Sequence, residues 1–169
     1  FHFVDTPEKA QALYDSHTID AVWPLTEEQL EVLSGQEDAL QPELKTYSVV
    51  FNCGQAPFDD PLLREAMSLA VDRGALVSRA QAAEGLVPPG VPENEEGDFR
   101  TAGGALLDNE EETFLARCQQ AREALNEAGY SGGAELGELE YLYVEDGVSG
   151  TVAQALSRRW QDLLGVTVT

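Results

Sequence analysis

Few residues in this chain have the type and spacing to do covalent chemistry. Asp59 and Asp60 are adjacent carboxylates, but a general acid and a general base must converge on one substrate. Neighbours just ahead of a helix more simply cap it. Glu110-Glu111-Glu112 reads the same way, as negative charge at a helix N-terminus. Cys53 and Cys118 lack CxxC spacing; a disulfide and two separate thiols are both open readings. His2 and His17 have no Cys or His at ligand distance in sequence, so neither a metal site nor any cofactor is expected. There is no G-x-S-x-G elbow, no Walker A and no dinucleotide fingerprint; Gly132-Gly133 precedes a strand, the wrong context for phosphate. The expectation is a binding protein and not an enzyme, with no catalytic residue to name.

Bulk properties narrow the partners. The 169 residues suffice for a domain with a real core, and 43% hydrophobic content is ordinary for a globular chain. Acidic residues outnumber basic ones 31 to 10, for a net charge of −21. That field repels phosphate backbones and anionic lipid, so no nucleic-acid partner is expected. There is no apolar run of about eighteen residues, so no direct membrane insertion is expected of this segment. The chain opens on Phe1, and no charged stretch followed by an apolar one reads as a signal peptide.

The elements that would position a site alternate along the chain. Phe1–Val4 reads as a strand. Thr6-Pro7-Glu8 opens a helix with Ala10, Leu13 and Tyr14 at helical spacing, and Ile19–Trp23 reads as a strand. Thr26-Glu27-Glu28-Gln29 starts a second helix as a capping box. Glu43–Asn52 reads as a longer strand, and Asp60-Pro61 caps a helix running to about Asp72 that is apolar nearly all round. Another helical stretch, Arg73–Ala82, follows. Gly85–Asn109 holds Pro88, Pro89 and Pro92 and five glycines, and reads as a long loop. A helix is expected over Glu110–Ala128 with Leu115, Cys118, Ala121 and Leu125 on one face. Then come a strand, Glu138–Val144, a helix, Thr151–Leu164, and a last strand from Gly165. Such alternation argues an α/β layered fold with a parallel or mixed sheet flanked by helices.

Three segments resemble the family 5 extracellular solute-binding proteins, which include dipeptide- and oligopeptide-binding proteins. The first is Asn52, then Pro57-Phe58-Asp59-Asp60, Leu63-Arg64-Glu65-Ala66 and Ala70-Val71-Asp72-Arg73. It matches the family's N-x-x-x-x-P-F-x-D-x-x-V-R-x-A-x-x-x-A-x-D-R, with Leu63 in place of Val. The second is Ala124-Leu125 followed by Glu127-Ala128-Gly129-Tyr130; the third runs from Gln154-Ala155-Leu156 to Gly165-Val166. Ala12-Leu13 and Ile19-Asp20 resemble the family's A-L-x-x-G-x-I-D, with His17 where Gly is usual.

The resemblance implies one incomplete lobe, residues 1–169, of a two-lobed type II periplasmic-binding-protein-like fold. The other lobe, the signal or lipoprotein anchor and the return strands would lie outside this segment. It also implies extracytoplasmic capture of a peptide or other small solute for the membrane permease of an ABC transporter, by closure of the two lobes. The alternative is a solute-sensing domain of a regulatory protein with the same fold. In open α/β sheets ligands sit beyond the carboxyl ends of strands. On that rule the loop Glu145–Gly150 offers Glu145, Asp146 and Ser149, and the family has a ligand contact near the position of Ser149. Lys45, Thr46 and Tyr47 correspond to a stretch that borders the cleft in oligopeptide-binding relatives. Arg64 could pair with Asp59, Asp60 or Asp72, so the most recognisable motif reads as scaffold.

Overall fold

The computed structural model describes residues 1–23, 43–76, 80–94, 97–144 and 147–169. They fall into two compact units, Phe1–Glu43 and Leu44–Thr169.

In the first unit, α1 spans Pro7–Asp15. The Thr6 side chain accepts from the Lys9 N–H, and Pro7 occupies the first turn, where its missing N–H costs nothing. The helix ends in a tight turn at His17, whose φ of 55° is left-handed. That conformation frees the Thr18 and Ile19 N–H groups to reach back to the Leu13 carbonyl. Glycine is the residue that adopts such a positive φ without steric cost. The expected strands Phe1–Val4 and Ile19–Trp23 have no ladder among the described residues. The expected helix at Thr26–Gln29 lies outside them.

The second unit is built around α2, Pro61–Leu69. Asp60 caps it by accepting from Leu62 N–H at 2.8 Å, as its place before Pro61 requires. Leu63, Ala66 and Met67 are buried, and Ala70 and Val71 continue the buried face past the helix end. Among the described residues Arg64 pairs with no carboxylate; its guanidinium donates to the Phe58 carbonyl at 2.6 Å. That bond ties the helix to the turn that precedes it. Asp72 and Arg73 open a short helix, α3, over Arg73–Leu76. Asp72 accepts from the Ala75 N–H at 3.2 Å, and Arg73 reaches back to the Ser68 hydroxyl at 2.8 Å.

The expected long loop carries structure of its own. Strands β1 (Pro92–Glu93) and β2 (Gly97–Asp98) pair antiparallel, and a single-turn helix, α4, follows over Phe99–Gly103. Asp98 organises this turn, accepting from Gly90 N–H at 2.6 Å and Thr101 N–H at 3.0 Å. Arg100 is buried and donates to the Gly104 carbonyl.

Helix α5, Phe114–Glu127, starts four residues later than its sequence pattern suggests. Glu111 and Glu112 lie in a turn before it, so the acidic run is not its first helical turn. Leu115 is 83% exposed and is not on the packing face, which consists of Phe114, Arg117, Cys118, Ala121, Ala124 and Leu125. Helical spacing alone fits either stripe. Contact with α2, the most extensive between two helices among the described residues, keeps Cys118, Ala121 and Leu125 of the expected face and takes Phe114, Arg117 and Ala124 in place of Leu115. Cys53 is exposed and Cys118 buried, and both are free thiols.

A 3-10 turn, Ala134–Leu136, leads to β3, Glu138–Leu139, which pairs in parallel with β4, Thr167–Val168. Helix α6, Gly147–Leu164, connects them. A strand, a helix and a parallel strand make the unit expected of an α/β lobe. The ladder is shorter than the hydrophobic runs suggested. The stretch Glu43–Asn52 has no strand partner among the described residues, although Val49 and Phe51 turn inward on the core while Val50 stays exposed. The inward-outward alternation is present; the neighbouring backbone that would make it a strand is not. Gly132-Gly133 has a packing role. A Cβ on Gly133 would collide with the Leu164 carbonyl, and one on Gly165 with the Gly132 carbonyl, so only glycine lets this turn close on the end of α6.

The core joins α2, α5, α6 and β4 through Leu63, Met67, Leu125, Leu156, Trp160, Leu164 and Val166. Burying each such side chain stabilises the fold by about 1.5–3 kcal/mol before entropy is counted. At the C-terminal end of α2, the Ala66 and Ser68 carbonyls accept from the Ala70 and Val71 N–H groups, while the Met67 carbonyl and those of Ala70 and Val71 just past the helix are met by side chains from the other helices. Trp160 Nε1 donates to Met67 O at 2.9 Å, Arg159 Nε to Ala70 O at 3.0 Å and Arg117 Nη1 to Val71 O at 3.5 Å. Both guanidiniums also stack on the Phe114 ring, 4.6 Å and 5.0 Å from its centre. Arg73 joins the group; burial, and then the charge of Arg117, push it below the usual arginine range.

Candidate solute-binding site

The carboxyl ends of β3 and β4 are where an α/β unit of this kind exposes backbone and loop to a ligand. Past β3 the chain continues through Tyr141 and Tyr143. Tyr141 N–H donates to the Thr169 carbonyl at 2.8 Å, and Thr169 N–H to Leu139 at 2.9 Å, so the two strands stay in register to this point. Period-two alternation then puts both tyrosines on one side, with ring centres 6.1 Å apart. Tyr141 also meets the Trp160 ring edge-on at 6.4 Å.

Opposite these rings lies the middle of α6. Gln154, Ser157 and Arg158 recur at helical spacing on a polar side of the helix, while Val152, Leu156 and Trp160 face the core. Strand and helix enclose a recess of about 320 Å³, lined by Tyr141, Tyr143, Ala153, Gln154, Ser157, Arg158, Val168 and Thr169. Its floor is Ala153 and Val168, its aromatic wall the tyrosines and its polar wall the helix. Burial pushes the Tyr141 phenol above its ordinary value.

The residues expected from sequence fall beside this recess or apart from it. Ser149 is half-buried in the first turn of α6; the next residue, Gly150, sits against the Tyr143 ring. Glu145 and Asp146 lie outside the described residues. Lys45, Thr46 and Tyr47 do not line the recess. Tyr47 is 82% exposed and Thr46 half-buried, on the stretch leading to Val49. The recess residues Gln154, Ser157 and Arg158 were not among those expected. Their signal was present in the sequence as a polar stripe on a helix whose other side is apolar.

Among the described residues no three His, Cys, Asp or Glu side chains cluster as a metal would need. No helix among them is long and apolar enough to cross a membrane.

Residues 1–169 match the family described as "Bacterial extracellular solute-binding proteins, family 5 Middle". The chain belongs to this family. Among curated family 5 relatives, the oligopeptide-binding protein OppA of Bacillus subtilis is 28% identical over 137 residues, covering 76% of this chain and 23% of OppA. The periplasmic oligopeptide-binding protein OppA of Salmonella typhimurium is 29% identical over 139 residues, covering 78% of this chain and 24% of that protein. This family 5 chain therefore spans about a quarter of the length of such relatives. Among solved structures, OppA of Burkholderia pseudomallei superposes with a TM-score of 0.64 at 26% identity, over 96% of this chain and 32% of the other. The likeness establishes the α/β lobe of the periplasmic-binding-protein-like fold. The segments Asn52–Arg73, Ala124–Tyr130 and Gln154–Val166, which carry the family pattern, hold α2 with its cap, the C-terminal end of α5 and the later part of α6.

Proposed function

We propose that this chain is one lobe of an extracytoplasmic solute-binding protein that captures peptides, or similar small solutes, for an ABC importer. The single observation that carries the reading is the family match along residues 1–169, joined to relatives named as oligopeptide-binding proteins. The geometry supports it through a solvent-open recess at the carboxyl ends of a parallel strand pair, against the middle of α6.

In this reading Lys45, Thr46 and Tyr47 border the cleft, and Glu145, Asp146 and Ser149 face the ligand from the loop and first turn of α6. Main-chain hydrogen bonds hold the peptide, and shallow hydrated pockets take its side chains. The lobe contributes half of the contacts, and a hinge brings the second lobe over the ligand. The closed form is what the permease recognises. The role is capture and delivery, with no bond made or broken.

The test is calorimetry with di-, tri- and pentapeptides on a polypeptide carrying both lobes, beside the 169-residue chain. Micromolar binding by the two-lobed protein, with far weaker binding by the single lobe, is expected. Ser149→Trp should weaken the former about tenfold or more, since crowding a cleft residue costs the well-packed contacts around it. Failure of the two-lobed protein to bind any peptide, or micromolar binding by the single lobe, would overturn the reading.

A further inference from the structure

We infer that the guanidiniums gathered at the carboxyl end of α2, those of Arg73, Arg117 and Arg159, bind a small tetrahedral oxyanion such as phosphate. The site is apart from the solute recess and does not depend on the peptide-capture reading.

The three side chains come from α3, α5 and α6 and meet one turn of backbone. Arg73 donates to the Ser68 carbonyl at 3.3 Å and to its hydroxyl at 2.8 Å. Arg159 donates to the Ala70 carbonyl at 3.0 Å and Arg117 to the Val71 carbonyl at 3.5 Å. Arg117 and Arg159 also share the Phe114 ring. Three full positive charges thus rest on partners among residues 68–71 that carry only partial charge. The carbonyls at the negative end of α2 offset part of the cost and leave the net charge in place. Arg73 registers the remainder: its burial, and then the charge of Arg117, disfavour its protonated form.

Arg117 gives the sharper argument. It is 5% exposed, and among the described residues its Nε–H is buried with no acceptor. Buried guanidiniums are ordinarily paired and fully hydrogen-bonded, and an orphaned buried donor calls for a bound acceptor. The Asp108 carboxylate feels the charge of Arg117, but it is exposed and accepts from the Glu110 N–H at 2.9 Å. It contributes field and makes no bond to the guanidinium. Arg73 and Arg159 are half-buried, so the cluster has a solvent side by which an ion enters. The arginine fork of N–H donors matches the oxygens of phosphate. Bound there, the oxyanion neutralises the joint of α2, α5 and α6 and stabilises the fold by mass action.

The test is a titration of the chain with sodium phosphate at neutral pH, read by NMR at the arginine Nε–H signals. Sodium chloride is withdrawn in step to hold the ionic strength, so that screening of the net charge stays constant. A saturable shift at Arg73 and Arg117, with the Arg122 signal unmoved, is expected. Arg73→Gln should weaken phosphate about tenfold, the worth of one hydrogen bond to a charged group, and Arg73→Lys should recover part of the loss. Arg122→Gln, the same loss of charge at an exposed position, should leave the affinity unchanged. Shifts that do not saturate, shifts of equal size at Arg122, or an unchanged affinity in Arg73→Gln would overturn the inference. Loss of phosphate binding in the polypeptide carrying both lobes would also overturn it, since a carboxylate of the remaining chain would then hold the place. The parent titration decides even where Arg73→Gln fails to fold.

Discussion

The Trp160 indole N–H donates to the Met67 carbonyl at 2.9 Å, across 93 residues of sequence and inside the core. The bond meets a carbonyl that the end of α2 leaves without a helical partner, since Val71 N–H turns instead to Ser68. One side chain from α6 thus caps α2 and fills the space between them.

Trp160→Phe should keep most of the apolar contact and lose the donor. A buried carbonyl left unpaired costs about 1–3 kcal/mol, and the smaller ring adds a void. Chemical denaturation followed by far-UV circular dichroism should show the midpoint fall with an unchanged slope. A variant as stable as the parent would mean the Met67 carbonyl finds another partner.

Arg159→Met should separate the electrostatic part of the same joint. It removes the bond to Ala70, the contact with the Cys118 sulfur at 3.2 Å and one face of the Phe114 stack, while keeping similar length. Loss of a half-buried charged hydrogen bond predicts a destabilisation of about 1.5–3 kcal/mol. The Cys118 thiol, otherwise buried, should then react faster with a thiol reagent in native buffer.

His17→Gly should stabilise α1. A left-handed φ on a side-chain-bearing residue costs about 1–2 kcal/mol, which glycine avoids, though glycine's looser unfolded chain returns part of it. Hydrogen exchange should slow at Thr18 and Ile19, whose N–H groups close this turn on Leu13. Unchanged exchange at both amides would contradict the assignment of strain to His17.

Asp98 makes the hairpin and single-turn helix of residues 90–103 sensitive to acid. Hydrogen bonds from Thr101 N–H, then Gly90 N–H, hold its carboxyl below the ordinary value of 3.8. A folded value below the unfolded one means its stabilisation is complete above about pH 4 and disappears as pH falls through the lower, folded value. Amide exchange at Gly90 and Thr101 should therefore rise below pH 4 in the parent and vary less with pH in Asp98→Asn. Equal pH dependence in both would remove Asp98 as the cause.

The net charge of −21 predicts stabilisation by salt. Exposed acids such as Glu65, Glu111, Glu112, Glu123 and Glu127 repel one another, and the Debye length falls from about 30 Å at 0.01 M to about 3 Å at 1 M. Thermal unfolding should move upward with sodium chloride. Replacing Glu111 and Glu112 by Gln should flatten the dependence, because fewer like charges remain to be screened.

What the sequence determined by itself was local. Thr6-Pro7 and Asp60-Pro61 cap their helices as their residue types require, because the cap bond lies within three residues of chain. The strand, helix, strand order around α6 was legible from hydrophobic period, and the family followed from motifs that form α2, α5 and α6. Tertiary structure decided what local spacing left equal. It turned Leu115 outward and Phe114 inward, because α5 packs on α2 and only one edge of the Cys118, Ala121 and Leu125 face is covered. It sent Arg64 to a carbonyl, and it set Trp160, Arg159 and Arg117 on the open end of α2. It also joined Tyr141, Tyr143 and Arg158 around one recess. Apart from the Arg64 bond, which spans six residues, those contacts join parts of the chain far apart in sequence, and the packing that selects them has no trace in residue order.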